Sequence, residues 1–129
     1  MQHRWDIFCK VIDNFGDIGV CWRLARQLTQ EHRQVVRLWV DDLISFARIA
    51  PDLDSYDQSQ CVQGVDIYQW HPAFAEVAPA DVVIEAFACD LPEAYVTAMS
   101  QQTKPPVWIN LEYLSAEPWV MQFHGLPSP

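Results

Sequence analysis

Two aspartates four residues apart, Asp13 and Asp17, lie in the segment VIDNFGDIGVCWRLARQL (11–28), where a strand pattern gives way to a helix pattern. Two carboxylates this close can bind one cation, and the forked N–H groups of a guanidinium suit such a pair. They can also divide catalytic work, one orienting a reacting group while the other takes its proton. The spacing therefore indicates a site for a cationic group, an acid–base pair, or both.

Ordinary structural roles compete with this interpretation. Asp17 can be the N-cap of the helix, and Asp13 can close an Asx turn. Gly16 and Gly19 would let a ligand approach the backbone, but DNFGDIG matches neither the G-x-G-x-x-G pattern nor a P-loop. A metal site is disfavoured because no third acid or histidine lies nearby in sequence. The residues alone leave these alternatives open.

The elements around this turn alternate between strand and helix. Residues rich in β-formers predict strands, and apolar residues at helical spacing predict helices. The predicted strands are 5–12, 34–41, 65–70, 81–87 and 106–114; the predicted helices are 18–32, 42–50 and 91–102; residues 51–64 and the segment after 114 are predicted loops. This order predicts an α/β fold, a Rossmann-like parallel sheet with helices on both faces. Such sheets bind ligands beyond the carboxyl ends of their strands, which is where the two aspartates fall.

The composition indicates one globular domain with an acidic surface. The chain has 129 residues, half of them hydrophobic, and contains no apolar stretch typical of a membrane span or signal peptide. We therefore expect a cytoplasmic protein that binds no membrane. Its net charge is −9: residues 1–48 carry seven basic against six acidic residues, and residues 49–129 carry one against eleven. This excess disfavours nucleic acid and favours either simple solubility or a basic protein partner.

The four cysteines have no metal-ligand spacing. Cys9, Cys21, Cys61 and Cys89 are far apart in sequence and form no C-x-x-C pair. Buried free thiols are therefore expected, and neither disulfides nor a zinc site.

Four longer segments carry a specific resemblance: WDIFCKVIDNFGDIGVCWRLARQL, VRLWVDDL, WINLEYLSAEPWV and HGLPSP. With them, the chain from about Trp5 to Pro129 resembles the N-terminal part of the EarP family, bacterial protein-arginine rhamnosyltransferases that modify elongation factor P. The resemblance implies a GT-B glycosyltransferase, in which residues 1–129 form the N-terminal, acceptor-side domain. The C-terminal domain, which binds the nucleotide sugar, would lie outside this chain, so we expect residues 1–129 to be inactive alone.

The same resemblance implies the reaction. L-Rhamnose would move from dTDP-β-L-rhamnose to an arginine side chain of elongation factor P, with inversion at the anomeric carbon and with no metal or other cofactor. The matching catalytic positions are Asp13 and Asp17. We predict that Asp17 is the general base, and that Asp13 orients the acceptor or holds Asp17.

Substrate-binding roles are predicted for six further residues, although packing or turn formation would explain each of them as well. Asn14, Phe15, Gly16 and Gly19 would shape the rhamnose pocket, and Glu112 and Tyr113, at the end of another strand, would contact the acceptor loop. Two rival functions remain at this stage: a non-catalytic acidic module that binds a basic protein, and a GT-B glycosyltransferase with a different donor.

Overall fold

The computed structural model describes residues 2–11, 15–71, 77–113 and 119–123. Within these ranges the chain forms seven strands and three helices. The strands are β1 (Arg4–Cys9), β2 (Val35–Val40), β3 (Ser59–Val62), β4 (Val65–Gln69), β5 (Val82–Ala86), β6 (Val107–Tyr113) and β7 (Trp119–Phe123). The helices are α1 (Phe15–Glu31), α2 (Leu43–Ala47) and α3 (Glu93–Ser100).

All seven strands belong to one sheet, with the order β3-β4-β2-β1-β5-β6-β7. The five strands from β4 to β6 are mutually parallel, and β3 and β7 are antiparallel at the two edges. The chain moves outward from β1 to β2 and β4, then crosses back to β5 on the other side of β1. The order of the strands therefore reverses between β1 and β5, which is where open parallel sheets form a ligand crevice.

Helices cover both faces of the sheet, as predicted. The side chains of β1 alternate between the two faces, since successive residues of a strand point in opposite directions. Ile7 and Cys9 pack with α1 and α2 in the larger buried cluster. Phe8 packs with α3 in the second, where its ring lies edge-on to Tyr95 at 4.8 Å between centroids. Both faces of β1 are therefore buried, which explains its continuous run of apolar residues.

A buried ion pair ties β1 to β2 on the α3 face. Asp6 is fully buried, and both of its oxygens accept hydrogen bonds from Arg37, at 2.6 Å each. The Tyr95 hydroxyl, the Trp39 indole N–H and the Ala80 backbone N–H also donate to this carboxylate. Burial, followed by the Asp6 charge, raises the pKa of Tyr95 above its usual range, so its hydroxyl remains a donor. The network leaves neither oxygen of Asp6 without a donor.

Several predicted elements and boundaries were wrong. Strand β1 ends at Cys9 and helix α2 at Ala47, each three residues before its predicted end. Helix α1 begins at Phe15, three residues before the predicted start. Strand β3 lies in the predicted loop 51–64. Its sequence SQCV has no alternation of apolar and polar residues, and it is an edge strand that pairs only with β4. Strand β7 lies in the segment predicted as a loop after 114 and pairs antiparallel with β6.

The remaining expectations concern the cysteines and the membrane. All four cysteines are free; Cys9, Cys21 and Cys89 are buried as predicted, whereas Cys61 is exposed on β3. None of the helices in the described part of the chain has the length and apolar character needed to cross a bilayer.

Candidate functional site at the carboxyl edge of the sheet

The carboxyl ends of the parallel strands carry most of the polar candidates. Following the order of the strands, this edge presents Trp70 after β4, Asp41 after β2, Lys10 after β1, the segment 87–90 after β5, and Glu112 near the end of β6. The predicted acidic turn follows β1, the central strand, at the reversal of strand order. The fold therefore positions the turn where a ligand crevice is expected.

Of the predicted catalytic pair, Asp17 is described and Asp13 is not. Asp13 and Asn14 lie outside the described residues, so their roles stay predictions. Asp17 is partly buried in the first turn of α1, two residues after the first helical residue. It is therefore not the N-cap, and that structural alternative is wrong. A carboxylate in this turn is stabilised in its charged form by the helix dipole.

The neighbouring glycines leave the start of α1 open. Phe15 and Gly16 form the beginning of the helix, and Gly16 is exposed. A Cβ built at Gly19 would meet no atom of a described residue within 4 Å, apart from its chain neighbours and the backbone of its own helix. Space beside the helix at Gly19 is therefore available to a ligand. The fold itself does not require a glycine at this position.

A second aspartate holds the strand that leads into the acidic turn. The backbone N–H of Val11 donates to Asp41 Oδ1 at 2.6 Å, although the β1–β2 ladder has already ended at Cys9 and Val40. The backbone oxygen of Asp41 in turn accepts from the Gln69 side chain at 2.7 Å. Asp41 Oδ2 is buried and has no hydrogen-bond partner among the described residues.

The next residue, Asp42, has a separate structural role. Its side chain caps α2 by accepting from the Ser45 backbone N–H at 3.1 Å and from the Ser45 hydroxyl at 2.6 Å. The hydroxyl bond, followed by the backbone bond, holds the pKa of Asp42 below its usual range. Two adjacent aspartates therefore stabilise different elements, the exit of β1 and the start of α2.

Two buried thiols, Cys9 and Cys21, lie at the end of β1 and within α1. A hydrogen bond with Cys21 raises the pKa of the Cys9 thiol, and burial raises it further. The charges of Asp17 and Asp41 raise the pKa of this thiol in the same direction. Cys9 therefore remains a neutral thiol, and it is not a candidate nucleophile.

The segment after β5 carries backbone strain at the same edge of the sheet. Three of its four residues, Phe87, Ala88 and Asp90, have left-handed φ values of 52°, 55° and 59° without being glycine. Glu85 supports the segment, since its carboxylate accepts from the Asp90 backbone N–H at 3.0 Å and from the Trp108 indole at 3.2 Å. Such strain is typical of loops whose shape serves a site.

Other contacts fix this segment against β1. The Cys89 thiol donates to the Phe8 carbonyl at 3.3 Å. Burial, followed by the Glu85 charge, raises the pKa of Cys89 above its usual range, so it stays a donor.

On the far side of β1, the Lys10 ammonium lies 5.2 Å from the centroid of the Trp70 ring.

Glu112 and Tyr113 occupy the carboxyl end of β6, on the predicted edge of the sheet. They are the last residues of the strand and pair with Val120 and Trp119 of β7. Strand β5 lies between their strand and β1 in the sheet. Their contact with an acceptor remains a prediction.

A metal site would need several ligating side chains close together. Among residues 2–11, 15–71, 77–113 and 119–123, no three His, Cys, Asp or Glu residues are arranged to hold a metal ion. What the described edge does offer is the carboxylate of Asp17 at a helix start, and a carboxylate can bind a cationic group and accept its proton.

Sequence reasoning missed Asp41 and the segment 87–90. Asp41 is the last residue of the predicted strand 34–41 and Asp42 follows it, so their position at the carboxyl edge was a usable signal. The segment Phe87–Asp90 gave no such signal, because its left-handed backbone occurs without glycine.

Comparison with known proteins gives consistent matches over this chain. The family described as elongation factor P (EF-P) rhamnosyltransferase EarP matches residues 5–129. A Pseudomonas putida protein named protein-arginine rhamnosyltransferase is 60% identical over all of this chain and 34% of its own length. Proteins of the same name from Pseudomonas aeruginosa and Neisseria meningitidis are 60% and 48% identical over 96% and 95% of this chain. The chain spans about a third of the length of these curated relatives.

Proposed function

Because this chain belongs to the EarP family of elongation factor P rhamnosyltransferases, we propose that the gene product containing it transfers rhamnose to a protein arginine. The donor is dTDP-β-L-rhamnose, the acceptor is elongation factor P, and the anomeric configuration inverts. Residues 1–129 supply the acceptor-side domain of a GT-B enzyme and are inactive alone. The observation that carries the proposal is the family match across the acidic turn, together with the position of Asp17 at the carboxyl edge of the central strand.

The chemistry requires an arginine to become a nucleophile. A guanidinium is protonated and its charge is delocalised, so its nitrogens attack poorly. Asp13 and Asp17 bind it through forked hydrogen bonds and orient one nitrogen towards the anomeric carbon. The bond from that nitrogen to the anomeric carbon forms while the bond from this carbon to the diphosphate oxygen breaks. The electron pair of the broken bond leaves with dTDP, and Asp17 accepts the nitrogen-bound proton.

The location of Asp17 explains when it takes the proton. The start of α1 favours its charged form, which weakens it as a base but strengthens its attraction to the guanidinium. Attack makes the nitrogen more acidic, so a weakly basic carboxylate can accept the proton late in the step. No metal or other cofactor has a role in this scheme.

Substrate contacts extend from the same turn. The open space beside Gly19 and the exposed Gly16 leave room for the sugar. Asn14 and Phe15 complete this pocket in the proposal, and Glu112 with Tyr113 contact the acceptor from the end of β6. The acidic residues after position 48 favour a basic protein surface around the target arginine. Both the enzyme and its acceptor act in the cytoplasm.

The same charge supports a second candidate function. A non-catalytic module could use its acidic face to bind a basic protein without any transfer of sugar. It would need neither Asp13 nor Asp17 as such, only the summed charge of the surface.

The test is intact-mass spectrometry of elongation factor P after incubation with dTDP-rhamnose and the full-length gene product that contains this chain. A mass gain of one deoxyhexose on an arginine, lost in Asp17→Asn but kept in the exposed control Asp52→Asn, supports transfer at the acidic turn. A gain that survives Asp17→Asn removes Asp17 from the chemistry. No gain, with stable binding of the acceptor, favours the acidic module.

A further inference from the structure

We infer that Asp41 is a positioning residue for the reaction, because it holds the end of β1 from which the acidic turn departs. The reaction in this inference is that of the proposed function. The positioning role itself is argued from the hydrogen bonds of Asp41. Asp41 itself does not contact substrate in this scheme. It acts through the backbone of Val11.

The geometry begins where the β1–β2 ladder ends. The last paired residues are Cys9 and Val40, so backbone pairing with β2 no longer holds Val11. Its N–H instead donates to Asp41 Oδ1 at 2.6 Å, a short bond to a charged acceptor. The Val11 side chain is also buried in the core with α1. Side chain and backbone are thus both held two residues before Asp13.

Asp41 is itself held from two sides. Gln69, the last residue of β4, donates from its side chain to the Asp41 backbone oxygen at 2.7 Å. Asp42, the following residue, caps α2 through Ser45. A chain of contacts therefore runs from Gln69 through Asp41 to Val11, across three neighbouring parallel strands. Catalytic carboxylates need this kind of support, since small displacements from the productive geometry lower turnover strongly.

The second carboxylate oxygen permits a clean conservative substitution. Asp41 Oδ2 makes no hydrogen bond to any described residue, so an amide nitrogen in its place breaks none of those bonds. Asp41→Asn therefore keeps the acceptor for Val11, whereas Asp41→Ala removes it. Asp42→Ala is the matched control, because it removes an adjacent carboxylate that supports α2 and not β1.

The experiment measures steady-state rhamnosylation and amide hydrogen exchange on the full-length gene product. For Asp41→Ala we expect kcat to fall by about ten- to a hundredfold, with an unchanged KM for dTDP-rhamnose and faster exchange over residues 10–17. Asp41→Asn should stay within about threefold of the unaltered protein, and Asp42→Ala within about twofold, because both keep the bond to Val11.

Two results would overturn the inference. The first is an Asp41→Ala variant whose kcat and whose exchange over residues 10–17 equal those of Asp42→Ala. The second is an Asp41→Asn variant that loses as much activity as Asp41→Ala. Failure of the proposed function is a different result, namely an unaltered protein that transfers no rhamnose. In that case the exchange comparison still decides whether Asp41 holds the turn.

Discussion

Two regions on strands β1 and β2 use aspartate in opposite ways. On the α3 face, Asp6 is fully buried and receives hydrogen bonds from Arg37, Trp39, Tyr95 and the Ala80 backbone. At the carboxyl edge, Asp17 is partly buried at the start of α1, and Asp41 uses one oxygen for Val11 while the other has no partner among the described residues. The first region is saturated with donors, and the second is not.

This difference separates a structural carboxylate from a functional one. A buried charge with a complete set of donors specifies which strands and helices meet, and a substrate has no way to reach it. Asp17 is only partly buried, and a carboxylate that solvent can reach can bind a cation and accept a proton. Asp41 serves the strand that precedes it. Partner count and access therefore predict which aspartates affect activity and which affect stability.

The largest expected effect is on catalysis at Asp17. Asp17→Asn in the full-length gene product should lower kcat by about 10²–10⁴-fold, because it removes the proposed general base. Initial rates of rhamnose transfer at saturating donor measure this, with exposed Asp52→Asn as the charge-matched control. A variant that kept near-normal turnover would show that the base is another group.

Asp6 should instead dominate stability. Asp6→Ala leaves the Arg37 guanidinium, only 17% exposed, without its carboxylate, and should lower the free energy of unfolding by about 3–5 kcal/mol. Urea denaturation measures the change, and Asp52→Ala should stay within about 0.5 kcal/mol of the unaltered protein. If both substitutions cost the same, the Asp6 network does not stabilise the fold as argued.

Asp42 gives a smaller, pH-dependent effect. Asp42→Ala should cost about 1 kcal/mol at pH 7, because α2 loses its N-cap. The folded pKa of Asp42 lies below its unfolded value of about 3.9, so its charge stabilises the protein above that pH. The difference between the two proteins should therefore shrink as the pH falls below about 4. Urea midpoints at descending pH test this, and a difference that grew on acidification would contradict it.

The smallest effect concerns the strained segment after β5. Ala88→Gly should raise the free energy of unfolding by about 1 kcal/mol, because glycine adopts the φ of 55° without strain. Ala98→Gly, within α3, should lower it by a similar amount. Thermal midpoints compare the two, and equal losses would show that residue 88 carries no strain.

The sequence predicted the parallel strands well because their residues are buried on both faces. Strand β1 contains the apolar run IFC and β5 the apolar run VVI, and α1 has apolar residues at helical spacing. The edge strands were missed for the opposite reason. Strand β3 is short, polar and paired on one side only, so its formation depends on β4 and not on its own composition.

The candidate site was predictable in part. The acidic turn with Asp13 and Asp17 was visible as a spacing, and its position at a strand end followed from the alternation of elements. Whether Asp17 is the N-cap depends on where α1 begins. A sequence pattern predicts helix ends poorly, because both local propensity and tertiary packing decide where a helix starts. The catalytic role of either residue stays a prediction.

The sequence by itself determined the fold class, the alternation of strands and helices along the chain, and the family. Hydrophobic periodicity and long motifs are properties of the chain alone. Only the tertiary structure decided which distant residues meet. Asp41 is thirty residues from Val11 in sequence, and Arg37 is thirty-one from Asp6, yet each pair forms hydrogen bonds because adjacent parallel strands bring them side by side. Such pairings depend on strand order and register, which no local pattern contains.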